Sequence, residues 1–565
     1  MTDDQLFEIV RRWVAIDPDP DTVAEATTLL NSGDLSALRD QFGGRLSFGT
    51  AGLRGPIAAG PNRMNRLVVR QTAAGLGARL LAGEQGSAYA TRGVVIGFDA
   101  RHKSDVFAAD TARVLAAQGI AVHLFSHIVP TPVLAFAVRH LGCAAGVQVT
   151  ASHNPPQDNG YKVYWGDGPQ IVSPLDAEIA KEIDDVAASS PSPVLAAATD
   201  RRIHVADDSV VDAYFAGVAA LDTRTSDSTA RSNLRIVYTA MHGVGGASML
   251  RIFHDAGFCD VHPVPEQQQP DPDFPTVAFP NPEEPGALNL AYELARTVDA
   301  DLIIANDPDA DRMSAAIPDV AVDGGWRQLR GDEVGWLLAQ HLLDVTKSKG
   351  SSRLVATTMV SSSLLAAMAA KYGVQYSETL TGFKWLARNA LGHPELTHVL
   401  SYEEALGYSV GSLVLDKDGL SAALVLADLA AARRTSGSSL AGALAALVAE
   451  YGRYETEQQS LRFEGTNAAE QQAALMNRLR GNLPTSIGGV PVTSVRDVAT
   501  ENPSSDVLIL RLGDVGRVTV RPSGTEPKCK IYYEVVSGHG GDDDVCVADL
   551  RASMAEILGH PSSSE

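Results

Sequence analysis

From Val94 onward, short apolar runs alternate with stretches of helical periodicity, and glycines or polar loops mark each change of period. Val94–Gly97 reads as a strand, Ser104 to Gln118 as a helix stopped by Gly119, and Ile120 to Phe125 as a second strand. A helix through Val138 then leads to a strand over Gly146 to Thr150. The pattern returns from Leu234, with strand Arg235–Tyr238, a helix to Ala256, a stop at Gly257 and strand Cys259 to Val264. A helix from Leu288 leads to strand Asp301–Ala305. It returns again from Leu354 as a strand, an alanine-rich helix, Gly373, a strand through Tyr376, a helix around Trp385–Ala390 and strand His398–Leu400. Three such units predict three α/β domains with mixed, mainly parallel sheets. Each ends in a polar loop at the carboxyl end of a strand, where open α/β sheets hold ligands. The units do not match residue by residue, so the repeat is one of architecture.

The ends of the chain differ. Residues 1 to about 40 carry apolar positions at helical spacing and predict an N-terminal helical extension. From about Thr456 a helical run through Ala468–Arg480 precedes strands around Val507–Arg511, Arg517–Val520 and Ile531–Val536, predicting a smaller α+β domain. The expected domains are therefore 1–205, 206–320, 321–453 and 454–565. Asp542–Asp544 and Pro561–Glu565 read as solvated, mobile segments.

Composition narrows the class. The 565 residues exceed one core and fit roughly three to four domains. A formal charge of −22 argues against nucleic acid or an anionic membrane as partner. It leaves anionic small molecules open, because a local cluster of Arg and Lys can dominate a cleft. Cys143, Cys259, Cys529 and Cys546 lie far apart without metal spacing, and are expected as reduced, mostly buried thiols of a cytoplasmic protein. The acidic N-terminus has no signal-peptide pattern, and no apolar run reaches membrane-spanning length, since Asp428 and Arg433-Arg434 interrupt the alanine-rich stretch from Leu420.

Four loops carry candidate chemistry. In Thr150-Ala-Ser152-His153-Asn154-Pro155, a serine flanked by His and Asn at a strand mouth suits a nucleophile. The competing reading is an Asx- or ST-type turn in which these side chains only satisfy the backbone. In Asn306-Asp307-Pro-Asp309-Ala-Asp311-Arg312, alternate carboxylates aim at one point and suit a hard cation, Mg²⁺ first. An EF-hand is excluded by Arg312 and Pro318, which stand where its Gly and bidentate Glu belong. Glu403-Glu404 near Gly407 is either a solvated turn or an acceptor for sugar hydroxyls. Arg521-Pro-Ser523-Gly524-Thr525-Glu-Pro-Lys528 offers a guanidinium, hydroxyls and backbone N–H groups, the parts of a phosphate cradle. Arg54, Arg101, Lys162 and Lys384 are further cations placed on loops after strands or turns. His242-Gly-Val-Gly-Gly246 lacks the dinucleotide spacing and reads as structural, and no Walker motif implies ATP.

Taken in order, these four loops resemble the signature loops of the α-D-phosphohexomutase superfamily (phosphoglucomutase/phosphomannomutase) over nearly the whole chain from about residue 40. Phe48-Gly-Thr-Ala-Gly-Leu-Arg54-Gly, Tyr238-Thr-Ala-Met-His242-Gly, Thr381-Gly-Phe-Lys384-Trp and Glu403-Glu-Ala-Leu-Gly look most like the phosphoglucomutase-2/phosphopentomutase branch. The resemblance implies a four-domain, heart-shaped fold around one deep cleft. It implies that Ser152 is the phosphoserine, and that Asp307, Asp309 and Asp311 hold one Mg²⁺ per chain with the phosphate on Ser152 as a further ligand. It implies Glu403 as sugar-hydroxyl acceptor and Arg521, Ser523, Gly524 and Thr525 as the distal phosphate site. Arg54, His153, Lys162, Arg312 and Lys384 would surround the transferring phosphoryl group, with Arg54 and Lys162 handling protons, and Arg101 is a further candidate substrate contact.

Two departures stand out: Tyr402 and Ala405 replace the Gly and Ser of the common Gly-Glu-x-Ser-Gly loop, and Asn306 replaces a Gly. The expected activity is interconversion of hexose 1- and 6-phosphates through a hexose 1,6-bisphosphate, which also serves as activator. The partners are then sugar phosphates, with a monomer or dimer as the assembly. A phosphopentomutase or a sugar-bisphosphate synthase is the alternative, and a Ser-dependent metallophosphatase or a non-catalytic sugar-phosphate binder the remote one.

Overall fold

The computed structural model describes residues 1–221, 223–463, 467–523, 528–538 and 545–559. Gly524, Thr525, Asp542–Asp544 and Pro561–Glu565 lie outside the described residues. The chain forms two compact units, Met1–Leu354 with Gly382–Gly437, and Val355–Thr381 with Ser438–Glu565. The residues expected as a third domain thus fall in both units, with a boundary inside strand Arg353–Thr358.

In the first unit the helical extension is three helices, Asp3–Ile16, Pro20–Ser32 and Leu35–Phe42. Thr2, Asp19 and Asp34 cap their N-termini by accepting backbone N–H groups, which supplies partners for donors that have none inside a helix. Their apolar faces (Leu6, Val10, Trp13, Ala26, Leu38 and Phe42) join the same core as the first sheet. That sheet has the order Leu53–Pro56, Asp158–Trp165, Ala145–Val149, Val94–Phe98, Val122–Phe125, Ile203–Ala206. The last four strands are parallel, and their near-continuous Val, Ile and Ala runs suit burial on both faces.

The second sheet, Trp326–Gln328, Met313–Pro318, Leu302–Asn306, Arg235–Thr239, Asp260–Pro263, repeats this scheme, with antiparallel strands beyond the polar loop. Both sheets therefore turn back on themselves immediately after their chemistry-bearing loops. The hairpin Thr397–Glu403 and Gly407–Val410 packs against helices Gly331–Val345, Phe383–Gly392 and Gly419–Thr435. The last helix is buried from Gly419 to Ala431, and Asp428 within it accepts from Thr225 N at 2.6 Å. Among the described residues no helix is long and apolar enough to cross a membrane.

The second unit contains strand Gln375–Thr379, helices Leu364–Tyr372 and Leu440–Tyr451, and an antiparallel five-stranded sheet. The sheet order is Arg453–Arg462, Lys528–Ser537, Gly516–Pro522, Leu508–Arg511, Ser494–Asp497, with helices Ala468–Gly481 and Val547–Leu558 contributing to its core. Arg517 is buried here, paired with Glu378 at 2.9 Å and Glu534 at 3.0 Å.

Two sequence expectations need correction. Arg54, Lys162 and Lys384 do not sit on loops: Arg54 lies in strand Leu53–Pro56, Lys162 in strand Asp158–Trp165 and Lys384 in the first turn of helix Phe383–Gly392. The misleading signal is Asn159-Gly160, a turn dipeptide by propensity. Here Asn159 is buried, donating to His102 O and Ser104 Oγ at 2.9 Å, and Gly160 lets the backbone of Thr150 approach so closely that a Cβ would lie 2.5 Å from its carbonyl oxygen. Nor are the thiols mostly buried: all four are free, but Cys259 and Cys546 are exposed, one beside a helix stop and one at a helix N-cap.

Candidate active site

The first unit brings three of the four loops together. Strand Ala145–Val149 ends at Thr150, whose Oγ1 accepts from Ser152 N at 2.9 Å. This turn bond is made by Thr150, so the Ser152 hydroxyl is left for other work. Ser152 is buried with φ +52°, a left-handed conformation that a serine holds only under outside constraint. The constraint is Arg101, also buried. Its guanidinium donates to Ser152 O at 2.7 Å, Pro155 O at 2.8 Å and Asp158 O at 3.1 Å, and to Asn154 O. Arg101, expected as a substrate contact, directs its terminal nitrogens at the carbonyls of the serine loop. The Phe274 ring lies against that guanidinium, 4.8 Å from its centre.

Ser152 Oγ donates to Asp307 Oδ2 at 2.9 Å and lies 3.2 Å from His153 Nδ1. Burial, together with Arg312 and Arg54, holds the His153 imidazole well below its usual range, so the ring is neutral. Asp307, Asp309 and Asp311 are buried, and one carboxylate oxygen from each lies within 4.8 Å of the others. Lys162 Nζ reaches Asp309 Oδ2 at 2.7 Å and Asp311 Oδ2 at 2.8 Å, and Lys417 Nζ is 3.3 Å from Asp311.

Burial raises the Asp309 and Asp311 pKa values, but the lysines outweigh it and both are lowered. Asp307 is paired with neither lysine: burial, then Asp309 and Asp311, outweigh Arg312 and push it well above the carboxylate range. Burial likewise pulls on the Lys162 ammonium, and the two aspartates overcome it, leaving its pKa raised.

The triad fits a divalent cation. Asp309 Oδ1 and Asp311 Oδ1 are buried without hydrogen-bond partners among the described residues, and the raised pKa of Asp307 reflects the crowding of three carboxylates that a cation would relieve. An all-oxygen donor set of this kind suits a hard ion such as Mg²⁺.

The loop holding the triad is braced from several sides. Thr131 Oγ1 donates to Asp309 Oδ2 at 2.6 Å and Thr131 N to Asp309 O at 3.0 Å. Asn306 Nδ2 donates to Arg312 O at 2.7 Å, and Arg312 N to Asp307 Oδ1 at 3.0 Å. Arg312 reaches Glu283 at 3.7 Å, and Arg54 Nη1 donates to Asn154 Oδ1 at 2.9 Å. Lys384 Nζ donates to Thr50 Oγ1.

Glu403 closes strand Thr397–Glu403 and faces Gly407 across a tight hairpin, so the expected third loop is the turn between them. Burial raises its carboxyl to about 7, against the pull of Lys417. Lys417 and Thr131 were not singled out in the sequence; Asp416-Lys417-Asp418 after a hairpin and Pro130-Thr131 at a helix start were their only signals.

In the second unit, Arg521 belongs to strand Gly516–Pro522 opposite Lys530, and Ser523 N donates to Lys528 O at 2.8 Å. Gln472 Nε2 donates to Ser523 O at 2.9 Å, fixing the mouth of the fourth loop. Gly524 and Thr525 lie outside the described residues.

Four family descriptions match in order: phosphoglucomutase/phosphomannomutase alpha/beta/alpha domain I over residues 45–189, domain II over 212–320, domain III over 330–451 and the C-terminal domain over 492–556. The "Probable phosphomannomutase" of Haemophilus influenzae is 41% identical over 499 residues, spanning 88% of this chain and 98% of its own length. The phosphopentomutase of Mus musculus is 37% identical over 590 residues, spanning 99% of this chain and 94% of its own. A phosphoglucomutase/phosphomannomutase family protein from Burkholderia thailandensis shares the fold, with TM-score 0.67 at 20% identity over 91% of this chain and 97% of its own. With the motifs and all four domains in register, the chain belongs to the phosphoglucomutase/phosphomannomutase family.

Proposed function

We propose that the protein is a phosphohexomutase interconverting hexose 1-phosphate and hexose 6-phosphate. The observation that carries this reading is the Ser152 hydroxyl 2.9 Å from Asp307 inside a buried triad of carboxylates, with Lys162 across it. Ser152 Oγ carries the phosphoryl group. A sugar hydroxyl attacks the phosphorus, the Oγ–P bond breaks as the sugar O–P bond forms, and the hydroxyl proton replaces the phosphoryl group on Oγ. The resulting bisphosphate turns over and returns its other phosphate to Ser152. Arg101 holds the serine loop still. Arg54, Arg312, Lys384 and Lys162 supply positive charge around the phosphoryl oxygens. Proton handling is assigned to Arg54 and Lys162; the raised pKa of Lys162 keeps its ammonium charged, and neutral His153 stands next to Oγ. Mg²⁺ at Asp307, Asp309 and Asp311, when bound, would neutralise charge on the transferring group.

Glu403 is assigned to sugar hydroxyls, and Arg521, Ser523, Gly524 and Thr525 to the substrate's own phosphate. Hexose 1,6-bisphosphate as activator, domains at 1–205, 206–320, 321–453 and 454–565, and a cytoplasmic monomer or dimer belong to the same reading; the four free thiols support the location. The likeness to a phosphopentomutase over 99% of the chain favours the second reading, a ribose-phosphate substrate. Parallel assays of glucose, mannose and ribose 1-phosphates with Mg²⁺ and the matching bisphosphate decide between them. Comparable kcat/KM for the hexoses with ribose slow supports the first reading. Ribose fastest replaces it with the second, and release of inorganic phosphate alone rejects both.

A further inference from the structure

The segment Tyr238-Thr-Ala-Met-His242-Gly-Val-Gly-Gly246 lacks the dinucleotide spacing, yet its backbone is unusual. Met241 and His242 are buried, non-glycine and left-handed, with φ +48° and +59°. Such conformations are costly and persist only where neighbours enforce them. Here Met241 N donates to Thr239 Oγ1 at 3.0 Å and His242 N to Gln267 O at 2.9 Å.

The result of the contortion is a close approach. A Cβ on Gly243 would lie 2.4 Å from both Pro308 Cα and Pro308 O, and Val244 N donates to Pro308 O at 2.8 Å. Pro308 is the residue between Asp307 and Asp309. Two further contacts follow the same loop. A Cβ on Gly245 would lie 3.0 Å from Ala310 Cβ, between Asp309 and Asp311, and Tyr238 OH donates to Asn306 Oδ1 at 3.0 Å.

We infer that this glycine turn is the mould of the metal loop: Gly243 and Gly245 set the height of Pro308 and Ala310, and thereby the convergence of the three carboxylates. The contacts of the turn with this loop run through Asn306, Pro308 and Ala310, so its residues are positioning residues. The inference rests on the metal reading of the triad given above.

Gly243 is not left-handed, so alanine suits its backbone, and the three atoms nearest its Cβ would all belong to the Pro308 backbone. Mn²⁺ binding to the full-length protein, followed by electron paramagnetic resonance, is the test. Gly243→Ala is expected to weaken Mn²⁺ binding about ten- to a hundred-fold, to lower kcat and to leave the sugar-phosphate KM nearly unchanged. Tyr238→Phe removes only the hydroxyl to Asn306 and is expected to weaken Mn²⁺ binding about five-fold; it decides the matter if the glycine variant does not fold. Wild-type Mn²⁺ affinity in a folded Gly243→Ala protein, or in Tyr238→Phe where that variant does not fold, overturns the inference alone. A wild-type protein that takes up no Mn²⁺ overturns the metal reading, and this inference with it.

Discussion

Ser152 Oγ and Asp307 Oδ2 are joined by a 2.9 Å hydrogen bond although 155 positions separate them in the chain. A hydroxyl placed against a member of a buried carboxylate triad is not a generic turn contact. It ties the candidate nucleophile to the candidate metal loop, and it makes the serine the first residue to test. Ser152→Ala is expected to lower mutase turnover on the order of a thousand-fold or more. Stability should change by no more than about 1 kcal/mol. Residual turnover near the wild-type rate in a coupled assay would remove the phosphoserine from the scheme.

Lys162 is the counter-charge of the triad, with only 7% of its side chain exposed. Lys162→Met removes the ammonium that pairs with both Asp309 and Asp311, and is expected to destabilise the metal-free protein by about 3–5 kcal/mol. Mg²⁺ should restore more stability to the variant than to the wild type, because it supplies the missing charge. Denaturant unfolding of both proteins with and without Mg²⁺ measures that difference, and equal Mg²⁺ effects would contradict it.

Glu403 sets a pH dependence. Its folded carboxyl is raised from 4.5 to about 7 by burial, so the folded state holds the proton more tightly than the unfolded chain. Its contribution to stability is therefore lost as pH rises from about 4.5 through about 7. The carboxylate needed for sugar hydroxyls forms in the same window, so KM for the sugar phosphate should fall as pH rises through about 7. Glu403→Gln should flatten both profiles; a KM profile unchanged by the substitution would separate Glu403 from sugar binding.

Arg101 distinguishes loop support from substrate contact. Arg101→Lys cannot reproduce a planar fork reaching the carbonyls of Ser152, Asn154, Pro155 and Asp158. The expected outcome is a kcat about ten- to a hundred-fold lower at nearly constant KM. An effect confined to KM would return Arg101 to the substrate.

Much of this was legible in the chain itself. Alternation of apolar runs with glycine stops located the strands and helices of each unit, because parallel strands buried on both faces must be continuously apolar. The spacing of Asp307, Asp309 and Asp311 announced a convergent triad. What local pattern could not convey was tertiary override. Asn159-Gly160 reads as a turn but starts a strand, since only the packed neighbour Thr150 makes glycine necessary there. Lys417 and Thr131 carry no motif of their own, and join the triad only through the folding of distant elements. Arg101 looked like any cleft cation until its carbonyl partners were in view.

The wide sequence separation within the site also has a consequence for the growing chain. Thr131 meets Asp309 across 178 positions and Lys162 meets it across 147, so no part of the triad exists while the first sheet is being made. A first domain fresh from the ribosome can complete its own core, yet its serine has no acidic partner until the second sheet has formed and docked. Half-made molecules are thus expected to be chemically silent, with the onset of turnover during refolding reporting domain assembly rather than the formation of either sheet.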